Sequence, residues 1–175
     1  MAVDPAKRRE RHLQAAGGYL ALNMPDYALE ELNAIADPHE APFEVNRLRG
    51  EALRGKSEWK NALSAFQKAI VEVPDNVSVL MGMAWCFKRT DQLPRAIAAM
   101  ERAYQFSPNE PIVLYNLSCY FALAGDKPNS LSWLGRAIRL DASVRNLIPE
   151  ESDFDGLRQD PDFQFITAVI SAADS

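Results

Sequence analysis

The chain has 175 residues, 47% of them apolar, and a formal net charge of −5. That length and composition allow a continuous buried core and are those of soluble globular proteins. The negative balance argues against generic binding to nucleic acid or to an anionic membrane, and no apolar run approaches the roughly 18 residues of a membrane span.

Residues 5–22 read as a first helix. Its opening turn carries Lys7, Arg8, Arg9 and Arg11, which oppose the helix macrodipole, so that turn is expected to fray. Pro25 suits the first turn of a second helix running to about Ala36, where its missing N–H is not needed. The segment from Asp37 to Pro42 is the longest interruption and the expected point of flexure. A helix over 43–55 ends near Gly55. Ser57 is then placed to cap the next helix, whose apolar stripe is Trp59, Ala62, Leu63, Phe66 and Ile70, and Pro74 stops it. A helix over 77–89 comes next, with Asp91 as a cap and Pro94 in the first turn of its partner, which ends at Phe106. A helix over 111–124 ends at Gly125; Asp126 and Pro128 repeat the cap-then-proline start of a helix to about Leu140.

After Asp141 the pattern decays. Phe154 and Leu157 can anchor a turn on the last repeat, and Asp160-Pro161 starts a last helix in which Phe163, Ile166, Val169 and Ile170 face inward. Charge is unevenly spread: residues 1–16 carry +2 and residues 145–175 carry −5. The acidic end reads as a solvated outer face.

The central elements are one pattern written repeatedly. Gly50, Leu53, Ala62, Phe66, Ala69 and Pro74 recur as Ala84, Phe87, Ala96, Met100, Ala103 and Pro108, each 34 positions on. The register extends downstream through Ser118, Phe121, Ser130, Leu134 and Ala137, and upstream through Ala16, Tyr19, Ala28, Leu32 and Ile35. Four units abut at 9–42, 43–76, 77–110 and 111–144, leaving 145–175 as a degenerate capping segment of the same domain. The small residues belong where two helices cross closely, and the large ones fill the space this leaves, each contributing roughly 1.5–3 kcal/mol on burial. No unit buries its apolar face alone, so stability comes from stacking.

This spacing resembles the tetratricopeptide repeat, a helix–turn–helix unit with small residues at its crossings and a closing proline. Departures are the missing leading Trp in every copy, Arg49 where Leu is usual, and Ser130 in place of the second helix's first Ala. The resemblance implies an all-α fold: a right-handed α-solenoid of four tandem helix–turn–helix units plus a C-terminal cap. The segment from Asp153 to Phe163 resembles the closing segment of many bacterial arrays of this kind.

Residues able to carry catalysis are sparse. His12 and His39 lack Cys, His or carboxylate neighbours at metal-ligand spacing, and Cys86 and Cys119 lack a CxxC partner. No phosphate-binding glycine loop, HExxH helix or nucleophile elbow is present. The expectation is a protein without enzymatic activity, cofactor or metal. Reduced thiols and a polar start, Met1 to Arg11, suit a cytoplasmic setting.

The resemblance implies that the first helices of successive units line a concave groove. Its positions are Arg47, Leu48, Glu51 and Arg54 in the second unit, then Ser78, Met81, Gly82, Trp85, Lys88 and Arg89 in the third. The fourth adds Ile112, Tyr115, Asn116, Cys119 and Ala122. Trp85 and Tyr115 would form an aromatic pair with basic groups at one rim; Trp, Tyr and Arg dominate binding at protein interfaces, and Met81 adds an adaptable contact. The competing expectation is that Trp85 packs under the capping segment or against its own repeat neighbours. Co-chaperones of this family grip the EEVD tail of heat-shock proteins with Lys, Asn, Asn, Lys and Arg. The matching positions here are Leu13, Gly17, Leu48, Ser78 and Gly82, or, one unit later, Arg47, Glu51, Gly82, Ile112 and Asn116. Neither set provides that clamp. The reading is an adaptor holding a peptide or helix of a protein partner in the groove. The alternatives are a secretion-type or assembly chaperone for a specific client, and a self-assembling structural module whose oligomeric state the residues leave open.

Overall fold

A computed structural model describes residues 4–168. The expected inward-facing Val169 and Ile170, and the start of the basic arm, lie outside the described residues. The described residues are all-helical: α1 (Pro5–Ala21), α2 (Pro25–Asn33), α3 (Pro42–Gly55), α4 (Trp59–Glu72), α5 (Val77–Arg89), α6 (Leu93–Phe106), α7 (Pro111–Leu123), α8 (Lys127–Leu140) and α9 (Pro161–Thr167). Short 3-10 segments cover Pro38–Glu40, Ala142–Leu147 and Ser152–Leu157. The chain forms two compact units, Met1–Ala99 and Met100–Ser175, with the boundary inside α6.

In the first unit α1 packs on α2, α3 on α4, and α4 on α5, while α3 also touches α1 and α5. The expected crossing positions are closed: Ala16, Ala28, Ala62, Ala84 and Ala96 are fully buried. Gly50 shows why they must be small. A Cβ there would stand 2.5 Å from the Phe66 ring, and one at Gly82 would stand 2.6 Å from its far end. Phe66 is itself wholly buried, wedged between two glycines on α3 and α5. Gly82 therefore belongs to the core, not to the groove expected for it.

The turn inside each helix pair is the same device four times. The N–H groups of Met24, Glu58, Gln92 and Asp126 each donate to the carbonyl five residues back, on Tyr19, Leu53, Phe87 and Phe121, at 2.9 Å. The residue before each donor has positive φ: Asn23 at 56°, Ser57 at 61°, Asp91 at 58° and Gly125 at 74°. This is the Schellman ending, which consumes the helix's last free carbonyls and places one residue in the left-handed region. Ser57 and Asp91, expected as caps of the following helices, instead end the preceding ones. Glu58 opens α4 with no side-chain cap. Asp126 is a true cap, accepting from Asn129 N–H at 3.1 Å.

The basic opening turn, expected to fray, is helical from Pro5 and has partners on neighbouring segments. Asp4 accepts the Ala6 N–H at 3.0 Å, Arg9 pairs with Glu40, and His12 Nδ1 lies 2.7 Å from Glu31.

In the second unit α7 packs on α8, and Ser118 and Ser130 meet at the crossing with their hydroxyls 3.4 Å apart, where the earlier pairs have Gly or Ala. Two buried hydroxyls at one crossing satisfy each other. The Ser152–Leu157 segment lies on α7, and Phe154 is fully buried between Tyr115 and Phe163, with ring centroids 5.9 and 5.3 Å away. Phe154 anchors the segment as expected. Lys127 holds α9 from outside, 2.5 Å from Asp160 and 2.8 Å from Asp162. Arg158 fastens the approach to α9, donating to the carbonyls of Pro149 at 3.1 Å and Glu151 at 2.9 Å.

Candidate protein-binding face

In the first unit the first helices of three pairs, α1, α3 and α5, run side by side. A cleft of about 330 Å³ opens between α1 and α3, walled by Gly17, Leu20, Arg47, Leu48, Glu51 and Arg54 among others. It contains the four groove residues expected of the second unit, Arg47, Leu48, Glu51 and Arg54. Arg54 donates from Nε (3.0 Å) and a terminal nitrogen (2.6 Å) to one Glu51 oxygen, which positions both at the rim. Leu48, expected as a contact, is a buried floor residue.

On α5, Trp85 stands 36% exposed although Gly82, Ala84, Cys86 and Phe87 around it are buried. The Lys88 ammonium lies over its ring, 5.0 Å from the centroid, a cation–π contact that orients both. Met81, one helical turn before Trp85, is half-buried. Arg89 is turned elsewhere: its guanidinium covers Trp59 of α4 at 5.1 Å. It serves the packing between α4 and α5 and does not join the cluster expected of it. Cys86, behind this face, is pushed up to about 11 by burial, with Glu51 adding to the shift and Arg54 opposing it. Such a thiol stays protonated near neutrality and is a poor nucleophile.

The second unit departs most from expectation. Tyr115 is 4% exposed and Cys119 is 1% exposed, so neither lines an open groove. The physical reason is the capping segment, which crosses this face of α7 and sets Phe154 edge-on against the Tyr115 ring. Asn116, the remaining expected residue, is half-buried beside them. A sequence signal for this existed. The α7 stretch PIVLYNLSCYFAL is apolar on every side, and a helix apolar all round is buried all round.

No family model matches the chain, and no curated protein matches it. Solved structures do. A crystal structure of MamA is 17% identical, with 77% of this chain covering 79% of that one at a TM-score of 0.70. MamA from Desulfovibrio magneticus RS-1, residues 41 to the end, is 18% identical, covering 80% and 77% at 0.71. A chain of the APC/C hetero-tetramer Cut9–Hcn1 is 14% identical, with 81% of this chain covering 29% of that one at 0.71. At such identities the likeness is one of fold. That fold is the tetratricopeptide array of helix–turn–helix units. No helix among the described residues is long and apolar enough to cross a membrane.

Proposed function

We propose that the chain is a non-catalytic protein-interaction scaffold that holds a peptide or helix of a partner on the α1–α3–α5 face of its first unit. The observation that carries this reading is Trp85: a large aromatic side chain left 36% exposed on a helix whose neighbouring positions are closed. Exposed Trp and Arg side chains are those that most often dominate binding energy. Trp85 supplies the anchor, Met81 an adaptable edge, and Arg47 and Lys88 the salt-sensitive contacts that favour an acidic partner segment. Arrays of this fold serve as protein-binding scaffolds in general, and one neighbour, the Cut9–Hcn1 hetero-tetramer, is itself a protein assembly. Two buried free thiols suit a reducing, cytoplasmic setting.

The test is a comparison of proteins retained by wild type, Trp85→Ala and Arg47→Glu, with Val71→Ala as a control at an exposed apolar position on α4. The reading expects partners lost by the first two variants at unchanged melting temperature and kept by the control. An identical set from all four proteins would remove it. A client-specific chaperone is the second reading, favoured by the apolar side chains left in solvent at Phe106, Leu123 and Phe165. It requires that the isolated chain self-associate through them, which light scattering across concentration measures. The same measurement tests a self-assembling module.

A further inference from the structure

We propose that Cys119, Glu151 and Asp153, with Tyr115 beside them, form a site for a thiol-seeking divalent cation of the zinc type. One donor atom from each of Cys119, Glu151 and Asp153 falls within 4.8 Å of the other two. Cys119 and Asp153 are buried and Glu151 is half-buried, so this is not a surface patch of acids.

Two elements build the site. Tyr115 and Cys119 lie four residues apart on α7 and so share one face of that helix. Glu151 and Asp153 come from the start of the Ser152–Leu157 segment, which Phe154 pins to the same face. Glu151 Oε1 also accepts the Asp153 N–H at 3.1 Å, which fixes the two carboxylates relative to each other.

An independent observation points into the same place. The Tyr115 hydroxyl is buried and makes no hydrogen bond. The side chains that act on it are Cys119, Glu151 and Asp153. Buried polar groups are almost always satisfied, and an orphan beside three potential ligands marks a place for something that binds oxygen and sulfur.

The chemistry of the set selects the ion. Zinc binds thiolate at about 2.3 Å and carboxylate at about 2.0–2.2 Å, almost always with four ligands. Tetrahedral bonds of that length put donors about 3.5 Å apart, a separation that donors lying within 4.8 Å of one another reach by small side-chain rotations. A thiolate favours zinc over magnesium or calcium, which take oxygen sets. Binding releases the Cys119 proton to solvent and ties the capping segment to α7 by coordination as well as by packing.

The experiment uses the full chain, free of any tag and stripped with chelator, titrated with Co²⁺ as a spectroscopic stand-in and then with Zn²⁺. The expected result is one Co²⁺ per chain with a thiolate-to-cobalt charge-transfer band, displaced by Zn²⁺. Cys86→Ser should keep the band and Cys119→Ser should lose it. Because Cys119 is buried, Glu151→Gln is the second arm: folded by circular dichroism, it should bind at least tenfold more weakly and lose the rise in melting temperature that Zn²⁺ gives wild type. Absence of a band in wild type overturns the site. So does a cation stoichiometry that survives both Cys119→Ser and Glu151→Gln, which would place the ion at His12 or His39.

Discussion

Helices α5 and α7 occupy equivalent places in successive helix pairs, and their residues correspond one to one at an offset of 34. Met81 corresponds to Tyr115, and Trp85 to Cys119. In α5 that pair of positions is open, with Trp85 36% exposed; in α7 the same pair is closed. The repeat register sets which way a side chain points, and it does so alike in both helices. Whether solvent or protein lies in that direction is decided by a segment outside the repeats, the stretch around Phe154. A repeat position is thus a potential contact, and the capping segment determines which contacts remain available.

The strongest way to break this comparison is to remove the cover. Phe154→Ala empties a fully buried aromatic site between Tyr115 and Phe163. It should cost about 3–5 kcal/mol in urea-induced unfolding. A cost below about 1 kcal/mol would mean that the segment is not docked on α7.

The next largest effect tests the core of the open unit. Gly82→Ala would bring a Cβ to 2.6 Å from the Phe66 ring. Overpacking of that kind should cost roughly 1–3 kcal/mol. Gly17→Ala is the matched control, since a Cβ there meets nothing within 4 Å. It should stabilise α1 by roughly 0.5–1 kcal/mol through helix propensity. Equal effects of the two substitutions in thermal unfolding would contradict the wedge.

A smaller effect separates the turns. Ser57 and Gly125 hold the same left-handed position in different pairs. Ser57→Gly should stabilise by roughly 0.5–1 kcal/mol and Gly125→Ala should destabilise by about 1 kcal/mol, opposite signs at one structural position. Chemical denaturation of both variants checks this.

The smallest effect is electrostatic. The hydrogen bond from Lys127 is the main cause holding the Asp160 carboxyl below its ordinary range, and Asp160 raises Lys127 in return. The depressed carboxyl contributes fully above the ordinary Asp pKa of about 3.9, and its contribution is lost as pH falls through the lower folded value. The raised ammonium contributes below about 10.4 and is lost as pH rises through its higher folded value. Attachment of α9 should therefore weaken in strong acid and in strong base, and high salt should blunt the effect because the pair is partly exposed. Lys127→Ala should move the Asp160 titration, followed by NMR, upward toward the ordinary range, short of it because the N–H groups of Asp162 and Phe163 still donate to the carboxylate.

Much of the fold was legible because the physics repeats. Small residues at Ala16, Gly50, Ala84 and Ser118 mark crossings, and every one is buried. The turns were harder: Ser57 and Asp91 read as helix starts, yet they end helices, a distinction that depends on φ. Of the candidate site, local pattern reaches only the placement of Arg47, Glu51 and Arg54 along one cleft and of Trp85 in contact with solvent. Tyr115 and Cys119 follow the same register, but their cover comes from residues more than 30 positions away. The same separation hides the convergence of Cys119 with Glu151 and Asp153, since metal-ligand spacing is recognisable only among neighbours.

The contrast between open and covered faces is tested most directly by acrylamide quenching of single-tryptophan proteins. One retains Trp85, with Trp59→Phe and Trp133→Phe. The other carries Phe154→Trp, with all three native tryptophans replaced by Phe. The account predicts Trp85 emission that is readily quenched and a probe at 154 that is severalfold better protected. Equal protection of the two, or a shielded Trp85, would contradict it.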